Sequence, residues 1–275
     1  MTIGAHGINL NLIMSAMRFR LATCIIAVLC VLSLDASAAE LRMRFVYDGN
    51  PPVPNPIVVD RDKEVCGEFR LVDERLLVNP ENQGIQNVVV YLATGRGGTK
   101  LAQVPARNRD IELTAEHCRF HPRVVVAQAG DTLAFNSKSE VGHNLTVSFF
   151  RNPTLNMVIP PGGTARLPLT FPEPIPLPLK CNIHPWMNGH LILLEHPFVG
   201  VSDADGYLLI PGLPADTELD FRVFHEAITG RAISVKVNGA ETTWQRQRFT
   251  ITTTAGVTDV GAVAIRPAAF AKKQD

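Results

Sequence analysis

The chain has 275 residues, 46% of them hydrophobic and 19% charged, enough apolar material for one large core or two smaller ones. Lys plus Arg and Asp plus Glu stand at 26 each, a formal net charge of zero. With that balance nothing points to a nucleic-acid partner or to a strongly charged docking face.

Residues 1–39 read as an export leader. Arg18 and Arg20 precede the apolar run LATCIIAVLCVLSL (21–34), and DASAAE follows. This is a basic region, an apolar region and an A-x-A-like cleavage site, with cleavage expected near Ala39. The apolar run is shorter than the roughly 20 residues of a membrane helix. An uncleaved anchor is the alternative. Leu29 before Cys30 argues against a lipoprotein, and Met14 or Met17 suits a start. The expected location is periplasmic or otherwise exported, with no membrane span in the mature form. Of the five cysteines, Cys24 and Cys30 leave with the leader, so Cys66, Cys118 and Cys181 remain. In an oxidising compartment paired cysteines become disulfides. Cys181 stands among other candidate metal ligands, so the expected disulfide is Cys66 to Cys118; two free buried thiols are the alternative.

Helical periodicity is nearly absent beyond the leader. Short β-type runs recur between Gly, Pro, Asn and Asp at 41–47, 87–93, 123–129, 131–137, 143–149 and 165–171, then at 190–195, 207–212, 218–225, 232–238, 248–254 and 259–265. This pattern predicts an all-β fold, sandwich or barrel. A helical turn is expected at most at AEHC (115–118). FPEPIPLPLK (171–180) carries proline at every second position, which predicts an edge strand or an extended approach with Ile175, Leu177 and Leu179 toward a core. It delivers the chain directly into Cys181. The tail 269–275 is expected to fray.

The segment CNIHPWM (181–187) spaces Cys181, His184 and Met187 three residues apart. Chance packing would account for a Cys and a Met, and a lone His is usually just hydrogen-bonded. Together, a thiolate, an imidazole and a thioether suit copper: two His and one Cys in a plane with a weak axial Met is the electron-transfer arrangement. The second imidazole must come from elsewhere. His143, at a turn between two β-type runs in DTLAFNSKSEVGHNLTV, is the best candidate. His190 is a weaker one, and His121, His196 and His225 read as structural or exposed. Asn144-Leu145-Thr146 fits a glycosylation sequon but lies behind the expected site. Asp203 and Asp205 read as turn residues rather than a calcium loop.

On these residues, 110–195 resembles the cupredoxins, the small blue copper proteins, and the ligand loop is similar to that of amicyanin and its plastocyanin-like relatives. The resemblance implies a Greek-key β-sandwich with His143 and His184 as imidazole ligands, Cys181 as thiolate and Met187 as axial ligand of one mononuclear type I copper. It implies that Asn144 braces the ligand loop behind the metal. It further implies that His184 is the exposed ligand, with Pro185 and Trp186 forming an apolar rim where redox proteins, a donor and an acceptor, dock weakly.

The segment 196–226 resembles the carboxypeptidase regulatory-like, transthyretin-like sandwich, and FVYDGNPPVPNPIVV with NVVVYLATG is similar to its opening strands. The expected organisation is therefore a leader (1–39), N-terminal strands (40–103), a cupredoxin domain (104–196), a smaller transthyretin-like sandwich (197–268) and a tail. In one arrangement 40–103 folds together with 197–268 and the cupredoxin is inserted between them; a serial arrangement is the other. Similarity to bacterial proteins labelled methylamine-utilisation-like names no substrate. The chain has no His-x-His pair, no second Cys in the loop (position 185 is Pro), no nucleophile elbow, no H-E-x-x-H and no phosphate loop. The expected function is single-electron transfer rather than catalysis. The alternatives are copper delivery, or a scaffold or adhesion module in which copper only stiffens the fold.

Overall fold

The computed structural model describes residues 38–270. Residues 1–37, within the expected leader, and 271–275 of the expected tail lie outside the described residues; Ala269 and Phe270, expected to fray, are held, with Phe270 buried and bridged to Ile228. Among the described residues the protein is all-β apart from one short helix and two single 3-10 turns, and the strands form four sheets.

Two of the sheets use both ends of the chain. Strand β1 (Ala39–Tyr47) lies between β13 (Tyr207–Leu213), antiparallel, and β18 (Gly256–Ile265), parallel. This sheet continues through β15 (Ala232–Val237) to β16 (Ala240–Gln245). Ala39, placed by the sequence in the leader, is already part of β1 and is buried. The facing sheet has the order β12 (Val199–Val201), β2 (Val89–Leu92), β14 (Glu218–Phe224) and β17 (Arg248–Thr252). Leu41, Phe45, Val90, Leu92, Ile210, Phe221 and Val263 fill the space between them. The turn at 203–206 is built as its residues suggest. The Asp203 carboxylate accepts the N–H groups of Asp205 and Tyr207, and Gly206, at φ 82°, passes so close to the Phe45 carbonyl that a side chain would collide.

The other two sheets come from the middle of the chain. One has the order β5 (Val124–Gln128), β11 (Asn188–Leu194), β10 (Leu177–Lys180), β7 (His143–Val147) and β8 (Leu155–Ile159). The other has the order β4 (Arg119–His121), β3 (Asp110–Glu116), β6 (Thr132–Ser137) and β9 (Thr164–Pro168). Leu113, Phe120, Phe135, Leu145, Leu179 and Leu191 form their core, and Cys181 and Met187 belong to it.

The two sandwiches also pack on each other. Period-2 alternation sends Val90 and Leu92 of β2 into the first core. Val89 and Tyr91 point the other way, onto Val124, Ile192 and Leu194 of the second sandwich. Strand β11 does the same, with Leu191 and Leu193 inward and Ile192 and Leu194 across the interface. Strands buried on both faces read as unbroken apolar runs, and this is why NVVVYLA and HLILL do. Each such fully buried side chain contributes about 1.5–3 kcal/mol.

Three local expectations are corrected. AEHC is no helical turn: β3 runs to Glu116, and His117 and Cys118, at φ 50° and 53°, make a two-residue reverse turn into β4. The proline-rich approach does not end in an edge strand, because β10 sits between β11 and β7. Pro176 and Pro178 have no N–H to give, and the ladder to β7 shrinks to the pair Lys180–Thr146. Leu177 and Leu179 are buried as expected, but Ile175 lies before the strand and is 49% exposed.

Candidate metal centre

Three elements converge at one pole of the central sandwich. Strand β7 begins at His143, so that imidazole is held by the first ladder pair, to Ile159 of β8. The loop between β10 and β11 carries Cys181, His184 and Met187. It is closed by backbone bonds from Cys181 N–H to the Met187 carbonyl, 3.1 Å, and from Met187 N–H to the His184 carbonyl, 2.8 Å. A third element, unanticipated, is a strap over residues 55–73. Its ends pair at the base through Ile57 N–H to Leu71 O and Asp73 N–H to Asn55 O, and its crest holds α1 (Lys63–Cys66) and a 3-10 turn. The Cys66–Cys118 disulfide, expected from the cysteine count, staples the strap to the β3–β4 turn. Ile57, Val59, Phe69 and Leu71 pack beneath it with Val141 and Trp186.

His143, Cys181 and His184 are all buried, and one ligand atom from each lies within 4.8 Å of the other two. The Nδ1 atoms of His143 and His184 are 3.1 Å apart, and Cys181 Sγ is 3.8 Å from His184 Nδ1. Atoms bonded tetrahedrally at about 2.0–2.3 Å to one first-row metal lie about 3.5 Å apart, so these separations suit a shared ion. The proton inventory agrees. His184 Nε2 lies 2.8 Å from an Asp62 carboxylate oxygen, which can only accept, so Nε2 carries a hydrogen and, in the neutral ring, Nδ1 presents a lone pair. His143 Nε2 is buried with no partner. Two imidazole nitrogens and one soft sulfur brought to one buried point fit copper.

The sulfur is tuned for this role. Its acceptor positions take the backbone N–H groups of Asn144, at 3.3 Å, and His184, at 3.4 Å. Burial pushes the Cys181 thiol up, but the two imidazoles and these N–H groups outweigh it and bring it down to about 5. The group is a thiolate at neutral pH, the form that binds metal. Burial likewise pulls His184 down, and the Cys181 sulfur and the Asp62 carboxylate outweigh it and hold it above its ordinary value.

Asn144 braces the loop. Its Oδ1 accepts the Asn182 N–H at 3.2 Å, and its Nδ2 donates to Asn156 Oδ1 and the Met157 carbonyl. Met187 is buried in the same apolar cluster as Cys181. His190 is not part of the cluster; it sits on β11 with its ring against Phe224, facing the other sandwich. The surface expectation is corrected. His184 is 0% exposed, because the strap and Asp62 cover the imidazole edge that was expected to face a partner. Pro185 is exposed, but Trp186 is half-buried, lies tilted against the His184 ring and gives its indole N–H to the Cys118 carbonyl. Sequence reasoning missed Asp62. The one available signal was the expected disulfide, which ties residue 66, four positions away, to the edge of the cupredoxin-like segment.

No protein-family model matches the chain, and no curated protein sequence does. Solved structures similar to it are cupredoxin folds. They include the copper-containing nitrite reductase (NirK) from Thermus scotoductus SA-01, at 20% identity over 36% of this chain and 24% of that one, TM-score 0.27. An amicyanin with a single proline-to-alanine change, in its oxidised state, is similar at 16% identity over 30% of this chain and 81% of that one, TM-score 0.28. A purple cupredoxin from Nitrosopumilus maritimus is similar at 15% identity over 31% of this chain and 98% of that one, TM-score 0.26. The chain thus spans about a quarter of the nitrite reductase.

Proposed function

We propose that this protein is an exported carrier of single electrons, in which His143, Cys181, His184 and Met187 would hold one type I copper ion. The observation that carries the reading is the buried convergence of His143 Nδ1, His184 Nδ1 and a Cys181 sulfur lowered to about 5. A copper ion bound there supplies a one-electron couple. The chain's own part is to hold the ligands still. His143 is fixed by a strand pair, the loop by its backbone bonds and by Asn144, and His184 by Asp62. Rigid ligands keep the rearrangement between oxidation states small.

Burial supports a carrier over a delivery protein, whose sulfurs must be reached by another molecule; Cys181 is 2% exposed and His184 0%. The four proposed ligands would leave no position for a substrate, which supports a carrier over an enzyme. The Cys66–Cys118 bond suits an oxidising compartment such as the periplasm. Among the described residues no helix is long and apolar enough to cross a membrane. The partners are a reduced and an oxidised redox protein that dock weakly beside Pro185 and Trp186. The organisation we favour is a cupredoxin domain at 104–196 inserted into a transthyretin-like sandwich of 40–103 and 197–268.

The test is absorption spectroscopy of the copper(II)-loaded chain. An intense thiolate-to-copper band that vanishes on reduction, returns on oxidation and is absent in Cys181→Ser is expected. A colourless copper adduct, or one whose spectrum Cys181→Ser leaves intact, overturns the reading. A reducible copper band with no electron exchange to any small redox protein favours the scaffold role.

A further inference from the structure

Asp62 departs from what its own helix needs. At the N-cap of α1 an Asp ordinarily accepts N–H groups of the first turn, yet its side chain makes no capping bond. Its backbone is left-handed, at φ 44° and ψ 48°, a conformation that costs an L-residue energy and persists only where the surroundings enforce it. Both departures aim the carboxylate at His184 Nε2, across 122 residues of sequence. The enforcement is visible: the paired base of the strap, its apolar underside and the Cys66–Cys118 staple fix the crest over the loop.

We propose that Asp62 is a positioning residue of the metal centre, holding His184 as the Nε2–H tautomer so that Nδ1 faces Cys181 and His143, and setting a negative charge behind that imidazole. The inference rests on the copper reading above and adds a residue to it. Outer partners of a metal-bound imidazole fix its ring and raise its basicity. A charge in that place favours the more highly charged state of a bound ion, so Asp62 lowers the reduction potential of the site.

The experiment compares the wild-type chain with Asp62→Asn and Asp62→Ala. The metal-free protein is read by nitrogen NMR of the His184 ring and by thermal melting, and the loaded protein by copper(II) competition and by its potential. Asp62 is 42% exposed, so both variants are expected to fold. At a pH where the ring is neutral, His184 of the metal-free wild type is expected as the Nε2–H tautomer, and in Asp62→Ala as a mixture. Copper(II) affinity is expected to fall about 10- to 100-fold in Asp62→Ala. The potential rises by about 59 mV for each tenfold loss of copper(II) over copper(I) affinity. Asp62→Asn keeps an acceptor oxygen and loses the charge, so its tautomer and melting temperature stay while its potential rises. The proposal is overturned if both variants keep the wild-type potential and affinity, if the wild-type ring is Nδ1–H, or if only Asp62→Ala changes and does so with a lowered melting temperature. A wild-type chain that shows no thiolate–copper band overturns the copper reading instead, and the metal-free tautomer then still decides whether Asp62 positions His184.

Discussion

At Asn144 one amide side chain does the work of two braces. Its oxygen takes the Asn182 N–H of the ligand loop, and its nitrogen ties β7 to Asn156 and Met157 of β8. Asn144→Ala leaves the Asn182 N–H without that acceptor. The metal-free chain is expected to lose about 1–3 kcal/mol in urea unfolding, and the loaded one about 10- to 100-fold in copper affinity by competition. His225 shows the opposite chemistry, an imidazole kept neutral. Its Nε2–H donates to the Gln86 carbonyl and its Nδ1 accepts the Ala227 N–H, so a second proton would face a donor. Burial foremost, with Arg123 and His190 nearby and Glu226 opposing, brings it down to about 4. The unfolded chain therefore takes up a proton below about pH 6.5 that the folded chain refuses until about pH 4. Stability is full above that window and falls by about 3 kcal/mol as pH drops through it, then levels off. Urea unfolding at pH 7 and pH 4.5 checks this, and His225→Gln is expected to flatten the difference.

Among the elements, the strap is the one whose removal is most informative. The disulfide closes a loop of sequence separation 52, for which the chain-entropy account gives about 4 kcal/mol. The double variant Cys66→Ser, Cys118→Ser is expected to lose about that much in chemical denaturation. It is also expected to let a histidine-modifying reagent reach His184 in the metal-free protein, which mass spectrometry of the loop peptide would show. Legibility differs from element to element for physical reasons. The β-rich class, the pairing of Cys66 with Cys118 and the grouping of Cys181 with His184 follow from short-range patterns and from counting. The β3–β4 hairpin was hidden because its turn uses His117 and Cys118 in left-handed conformations where Asn and Gly are the usual markers. Strand β10 was misplaced because its prolines argue for an edge, while its position is set by the loop it must deliver. The exposed His184 edge failed because what covers it lies far upstream, in a charged stretch with no periodicity of its own.

Among the described residues, an apolar seam and an ion-pair knot join the two sandwiches. Arg123, 10% exposed, gives two bonds to the Glu226 carboxylate and reaches Glu74 at the base of the strap. Gly189 lets β11 approach the Arg123 carbonyl where any side chain would collide. Arg123→Ala leaves two carboxylates without that partner, and a loss of about 3–5 kcal/mol is expected in global unfolding. The pair Arg123→Met, Glu226→Leu is expected to recover most of it, because Glu74 keeps Arg119 as its partner and no other carboxylate of the knot is left unpaired.

The placement of the staple also bears on how the chain matures. In a chain exported N-terminus first, Cys66 and Cys118 would reach an oxidising compartment ahead of Cys181. Joining neighbours in order of appearance then yields the native bond by default. It leaves the late-arriving sulfur unspent, without requiring an isomerase to correct a wrong partner.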